Sequence, residues 1–87
     1  MNREVPYSIE AEQNVLGSLM FKNDSFDDVS GFLAAEDFYR ADHQLIFRGI
    51  SEMISQRKPC GFVTLHEHAK ERGTLADMGG FSYLPGS

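Results

Sequence analysis

Ser8-Ile9-Glu10-Ala11-Glu12-Gln13-Asn14-Val15-Leu16-Gly17-Ser18-Leu19-Met20 reads as the opening helix of an all-helical domain. Serine is a favoured N-cap because its hydroxyl oxygen accepts a backbone N–H that the first turn leaves orphaned. Glu10 and Glu12 add negative charge beside the positive end of the helix dipole. A helix is therefore expected from Ile9 to Phe21 or Lys22. Val15, Leu16, Leu19 and Met20 recur at three- and four-residue spacing, so they line one face and require burial. Glu10, Glu12, Gln13 and Asn14 form a polar side richer than capping requires.

The rest of the chain repeats this pattern in short pieces. Asn23-Asp24-Ser25 breaks the first helix, and Asp24 is placed to cap a second one with Phe26, Val29 and Leu33 on its apolar face and Asp27 and Asp28 in its first turn. Gly31 weakens the end of that helix. Ala35 to Tyr39 is expected to form a short turn that carries Phe38 and Tyr39 to the core, where burial is the favoured reading for the tyrosines over interface contact. Asp42 then reads as the N-cap of the longest helix, over His43 to Gln56. Ile46, Phe47, Ile50, Met53 and Ile54 follow the 3.6-residue period, with Gln44, Arg48, Glu52 and Gln56 towards water. Lys58-Pro59-Cys60-Gly61 stops it, since proline lacks the N–H a continuing helix needs. Phe62-Val63 reads as an extended link. Thr64 and Glu67 have capping-box spacing for a helix from Leu65 to Arg72, ended by Gly73. One more turn is expected between Ala76 and Leu84, around Gly79-Gly80. The expected fold is all-α, a compact bundle of about five to six short helices.

Composition bounds what such a bundle can do. The 87 residues allow one domain, and 41% hydrophobic residues with seven phenylalanines supply a real core. No apolar run reaches the ~18 residues of a membrane span, and no signal-peptide core follows Met1. The single Cys60 cannot form an internal disulfide. An intracellular, cytoplasmic protein is expected. Eight Lys and Arg stand against 13 Asp and Glu, a net charge of -5 that opposes a phosphate backbone. No direct grip on nucleic acid is expected, and no membrane partner.

Sites of chemistry are sparse in the sequence. No G-x-x-x-x-G-K-[ST] loop is present to cradle phosphates, and Gly79-Gly80 reads as a turn. Cys60, His66 and His68 are zinc-type ligands at poor spacing, because residues i and i+2 on a helix diverge and a fourth ligand is lacking. His66 and His68 read more simply as helix-surface residues, and His43 as a first-turn residue without a nucleophile signalled beside it. Asp27-Asp28 and Glu36-Asp37 lie near helix starts, where dipole and capping effects explain acids. No catalytic, cofactor-binding or metal-ligating residue is assigned.

Several segments together resemble the N-terminal domain of the bacterial and phage replicative DNA helicases of the DnaB family. They are Pro6 to Leu19, Asp37-Phe38-Tyr39 leading into His43-Gln44-Leu45-Ile46-Phe47, Thr64-Leu65, Gly73, Leu75, and Gly79-Gly80-Phe81-Ser82-Tyr83-Leu84. Their order and spacing, over nearly the whole chain, carry the likeness. A departure occurs at Cys60-Gly61-Phe62, where the family usually has aliphatic, Asp, aliphatic before the Thr-Leu pair. The resemblance implies a helical head at residues 1–84, here without the C-terminal helical hairpin that follows it in the family, and a tail or cloning scar at residues 85–87. In the family a linker and a RecA-like motor domain come next, and ATP and Mg belong to that motor. The head itself is non-catalytic, forms a collar in a hexameric ring with other helicase subunits, and offers surfaces to primase and helicase loader. Phe81, Tyr83 and Leu84 are the candidate partner-interface residues, since a hairpin would cover them and its absence would favour weak self-association. Two other readings are a stand-alone mimic of the helicase head that regulates replication, and a small helical DNA-binding module using Leu65 to Arg72.

Overall fold

In the computed structural model, which describes residues 9–81, the chain folds as four α-helices and two 3-10 turns. Helix α1 spans Ile9–Phe21, α2 Ser25–Ser30, α3 Ala41–Ser55 and α4 Phe62–Arg72. The 3-10 turns are Ala35–Asp37 and Ala76–Phe81. No strand occurs among the described residues, so the all-α expectation holds.

Helix α3 is the axis of the bundle because its apolar stripe is the longest. Ile46, Phe47, Ile50 and Met53 are buried along it, and α1, α4 and both 3-10 turns pack against it. Leu16, Leu19 and Met20 of α1 face it from one side, Leu65 and Ala69 of α4 from another. Helix α2 is held through Phe26, whose ring centroid lies 5.5 Å from that of Phe47, and Phe38 meets Phe47 at 5.2 Å. Tilted ring pairs of this kind add to simple burial. Gly49, which the apolar period passes over, lets α3 approach its neighbours closely: a Cβ there would lie 2.9 Å from Leu65 Cδ1 and 3.4 Å from Met78 Cε.

Helix α1 starts at Ile9 and α2 directly after Asp24, as expected, whereas the capping of α2 and the starts of α3 and α4 differ, each for a local cause. Ser8 lies outside the described residues. Asp24 itself has helical backbone angles, and its side chain makes no capping bond; the turn is held instead by Phe26 N–H donating to Asn23 O at 2.9 Å. Asn23 serves as a clamp, its amide donating to Leu19 O and Cys60 O and accepting from Cys60 N–H, all at 2.8 Å. Helix α3 begins at Ala41, so Asp42 caps from inside the first turn, accepting from its neighbour His43 N–H at 2.8 Å and from Arg40 Nε and Nη2 at 2.9 and 2.7 Å. Helix α4 begins at Phe62, not Leu65, with extended Gly61 as its N-cap. Thr64 is thereby its third residue, and its Oγ1 reaches back to accept Gly61 N–H at 2.8 Å. Starting one turn earlier pairs backbone groups that an extended Phe62-Val63 link would leave to water, and it lets Phe62 pack against the core. The end at Gly73 is as expected, with φ +74 in the left-handed region.

Tyr39 also departs from expectation. Phe38 is buried, but Tyr39 is 67% exposed, because the extended backbone at the end of the 3-10 turn sends successive side chains to opposite sides.

Candidate interaction surface

Two polar groupings frame the candidate surface: an interior one around Glu12 and an outer ridge on α3 and α4. Inside, Glu12 of α1 and His43 of α3 are both buried, and Glu12 Oε1 lies 2.7 Å from His43 Nδ1. Opposite a carboxylate that ring nitrogen is the donor. The same carboxylate accepts the backbone N–H of Tyr39 and, at 3.5 Å, that of Arg40. These two amides precede α3, so Glu12 satisfies donors that the helix start leaves orphaned and places its charge at the positive end of the α3 dipole. His43 is thus a first-turn residue of α3, as expected, whose side chain lies in the core, and Glu12 belongs to the buried side of α1. Asp42 beside it is subject to burial that raises its carboxyl pKa, but the hydrogen bond and charge of Arg40, with His43, outweigh this and hold it below 3.8.

Outside, the side of α3 turned from the core carries Arg48, Ser51 and Glu52. They form one wall of a groove of about 390 Å³, whose apolar floor is Phe26, Leu33 and Phe47. Beyond the same wall lies a smaller cleft of about 130 Å³ reaching Leu45, His68, Arg72 and Met78. Glu52 does not simply face water. Its Oε1 accepts from His68 Nε2 at 2.6 Å and Arg72 Nη2 at 3.1 Å, tying α4 to α3. Gln44 is likewise engaged, donating to Phe38 O at 2.8 Å.

The residues singled out for metal chemistry are dispersed. Cys60 is buried in the corner clamped by Asn23, and burial pushes its thiol up to about 12. His68 is engaged with Glu52, and no group of His, Cys, Asp and Glu with metal-binding geometry occurs among the described residues. Asp27, Asp28 and Glu36 are exposed, whereas Asp37 accepts Ala34 N–H at 2.8 Å and closes the 3-10 turn. Within the proposed recognition helix, Leu65 and Ala69 are committed to the core and His68 and Arg72 to Glu52. Tyr83, Leu84 and the side chain of Phe81 lie outside the described residues. Sequence reasoning missed Glu12, His43 and the Arg48-Glu52-Arg72 ridge. For the first two a signal existed: Glu12 stands four residues before Leu16, and His43 three before Ile46, on the apolar stripes themselves.

The arrangement of helices can be set beside known proteins. Residues 4–86 match the model of the DnaB-like helicase N terminal domain. The chain belongs to this family. A replicative DNA helicase DnaB from Buchnera aphidicola subsp. Schizaphis graminum is 42% identical over 79 residues, and one from Pasteurella multocida is 40% identical over 79. Each match covers 91% of this chain and 17% of the relative. The DnaB-type head described here therefore spans about a sixth of the length of those helicases and corresponds to their N-terminal domain. Among solved structures, the N-terminal domain of DnaB helicase from Mycobacterium tuberculosis superposes with a TM-score of 0.84 at 34% identity, covering 92% of this chain and 58% of that one. The DnaB assignment expected from the scattered segments holds, and the fold is the same all-helical head. No helix among the described residues is long and apolar enough to cross a membrane.

Proposed function

We propose that this chain is the non-catalytic head of a replicative DNA helicase, which supports assembly of the hexameric ring with other helicase subunits and docks primase or a helicase loader. The observation that supports this reading is the family match over residues 4–86, to the N-terminal region of proteins named replicative DNA helicases. The chemistry agrees with it: Glu12 and His43 pair with each other inside the core, and the outer face of α3 presents a groove beside charged residues. In this reading residues 1–84 form the head and residues 85–87 a tail. Phe81, Tyr83 and Leu84 contribute to the surface met by neighbouring helicase segments, and the protein acts in the cytoplasm. ATP and Mg act in a motor domain of the whole helicase. This chain's residues do not fit them, having no phosphate-cradling glycine loop followed by Lys and Ser or Thr.

Calorimetric titration of the chain with the C-terminal region of its cognate primase, its cognate loader and the full-length helicase tests the proposal. Binding to the helicase and to primase or loader is expected. No heat with primase and loader at high micromolar concentration sinks the docking role, and no association with the helicase sinks the ring role.

A further inference from the structure

We propose that the groove between α2 and α3, with the adjoining ridge Arg48-Glu52-Arg72, receives an amphipathic helix of a partner protein that presents a short aliphatic stripe and a carboxylate one turn beyond it. This rests on the reading of the chain as a docking head and names both the surface and the chemistry of what it takes.

The shape and the lining select the aliphatic stripe. Phe26 and Phe47 form a packed aromatic floor, flanked by half-buried Leu33, and the cavity of about 390 Å³ has room for a few aliphatic side chains. Such a floor takes the i, i+3, i+7 anchors of a helix laid into a groove. Its foundation is rigid, since Phe47 is fixed from the other side by Phe38 at 5.2 Å.

The charge selects the carboxylate. The chain as a whole carries -5, yet along this ridge Arg48, His68 and Arg72 line the same cleft as Glu52. Glu52 is already taken by His68 at 2.6 Å and Arg72 at 3.1 Å. Arg48 is exposed and has no ion pair or hydrogen bond to any described residue. It lines both the apolar groove and the smaller cleft, so an incoming carboxylate meets a guanidinium fork directly beside the aliphatic anchors. A basic helix would face repulsion at the same place. A nucleic-acid backbone is disfavoured because one or two cations in an acidic domain give little counterion release.

A probe peptide tests this. A fluorescein-labelled, alanine-based helical peptide carries leucines at i, i+3 and i+7 and a glutamate at i+11, and its twin carries lysine in place of the glutamate. Fluorescence anisotropy with the 87-residue chain should show the acidic peptide binding about ten-fold tighter than the twin. Arg48→Glu should reverse that preference, and Ser51→Trp, which fills the groove, should weaken both peptides; matching circular dichroism and Tm establish that the variants fold. Equal binding of the two peptides, or a preference unmoved by Arg48→Glu, overturns the proposal. A dimer of the chain that dissociates on Arg48→Glu also overturns it, by giving the groove to a second copy. Primase or loader that binds wild type and both variants equally overturns the groove and leaves the docking reading standing. Failure of wild type to bind either partner overturns the docking reading instead.

Discussion

Glu12 and His43, 31 residues apart in the chain, meet in the core with Oε1 2.7 Å from Nδ1, and this contact sets where α3 begins against α1. The carboxylate also takes the Tyr39 and Arg40 amides, so one side chain satisfies the imidazole and the orphaned donors of a helix start. Removing it leaves those donors buried without their acceptor. Glu12→Ala is expected to cost about 1–3 kcal/mol, the usual penalty for leaving a buried polar group without its hydrogen-bond partner. Glu12→Gln, which keeps an acceptor oxygen, should cost less. Urea denaturation of both variants checks the order; a loss below about 0.5 kcal/mol for Glu12→Ala, the level of an ordinary surface substitution, would be incompatible with the network.

Asp42 ties the first turn of α3 to Arg40. Burial alone would raise its carboxyl, but Arg40 and His43 hold it below 3.8, so the folded state favours the ionised form. A folded-state value lower than the unfolded one contributes stability that is present above about pH 4 and is lost as pH falls through the folded value. Asp42→Asn should therefore lower Tm at pH 7 and flatten its decline below about pH 4. Thermal melts across pH 2–7, parallel in wild type and variant, would contradict this.

Cys60 is expected to be chemically silent in the folded chain. Its thiol is buried and pushed up to about 12, so almost no thiolate is present at neutral pH. Iodoacetamide at pH 8 should label it slowly under native conditions and rapidly in guanidinium chloride. Because the folded value lies above the ordinary 9.0, the associated stability is complete below that pH and declines as pH rises towards 12. Equal labelling rates in the two conditions would place the thiol at the surface.

Gly49 separates two effects of opposite sign. Alanine improves helix propensity by about 1 kcal/mol, while its Cβ requires the movable ends of Leu65 and Met78 to give way. Gly49→Ala is expected near neutral. Gly49→Val has no such room and should cost about 1–3 kcal/mol through overpacking, and α4 and the Ala76–Phe81 turn should lose amide-exchange protection first. A neutral Gly49→Val would mean that α3 and α4 are not in close contact at this point.

Much of the fold was legible in the residues because the signals are local. Helix α1 has the expected bounds, Gly73 ends α4 as glycine should, and the apolar stripe of α3 names four buried core residues. The errors fall at helix starts. Asp24, Asp42 and Thr64 each carry a capping oxygen, but capping groups work from the N-cap and also from within the first turn, and sequence spacing does not separate the two. The proposed interaction surface was largely illegible, since Arg48, Glu52 and Arg72 are ordinary surface residues until α4 is laid across α3.

What the sequence determined by itself is the class of protein: an all-helical head with its periodic apolar faces, its helix stops and the ordered segments that mark the DnaB family. Periodicity, capping and chain-breaking act within one or two helical turns, so each is written where it operates. Only the tertiary structure decided that Glu12 and His43 are interior partners, that Asn23 clamps the Cys60 corner across 37 residues, and that Arg48 stands between a groove and a cleft. These depend on which helices pack together and at what angle, and that is settled by the burial of whole apolar faces, to which any single polar residue contributes only after the faces have met.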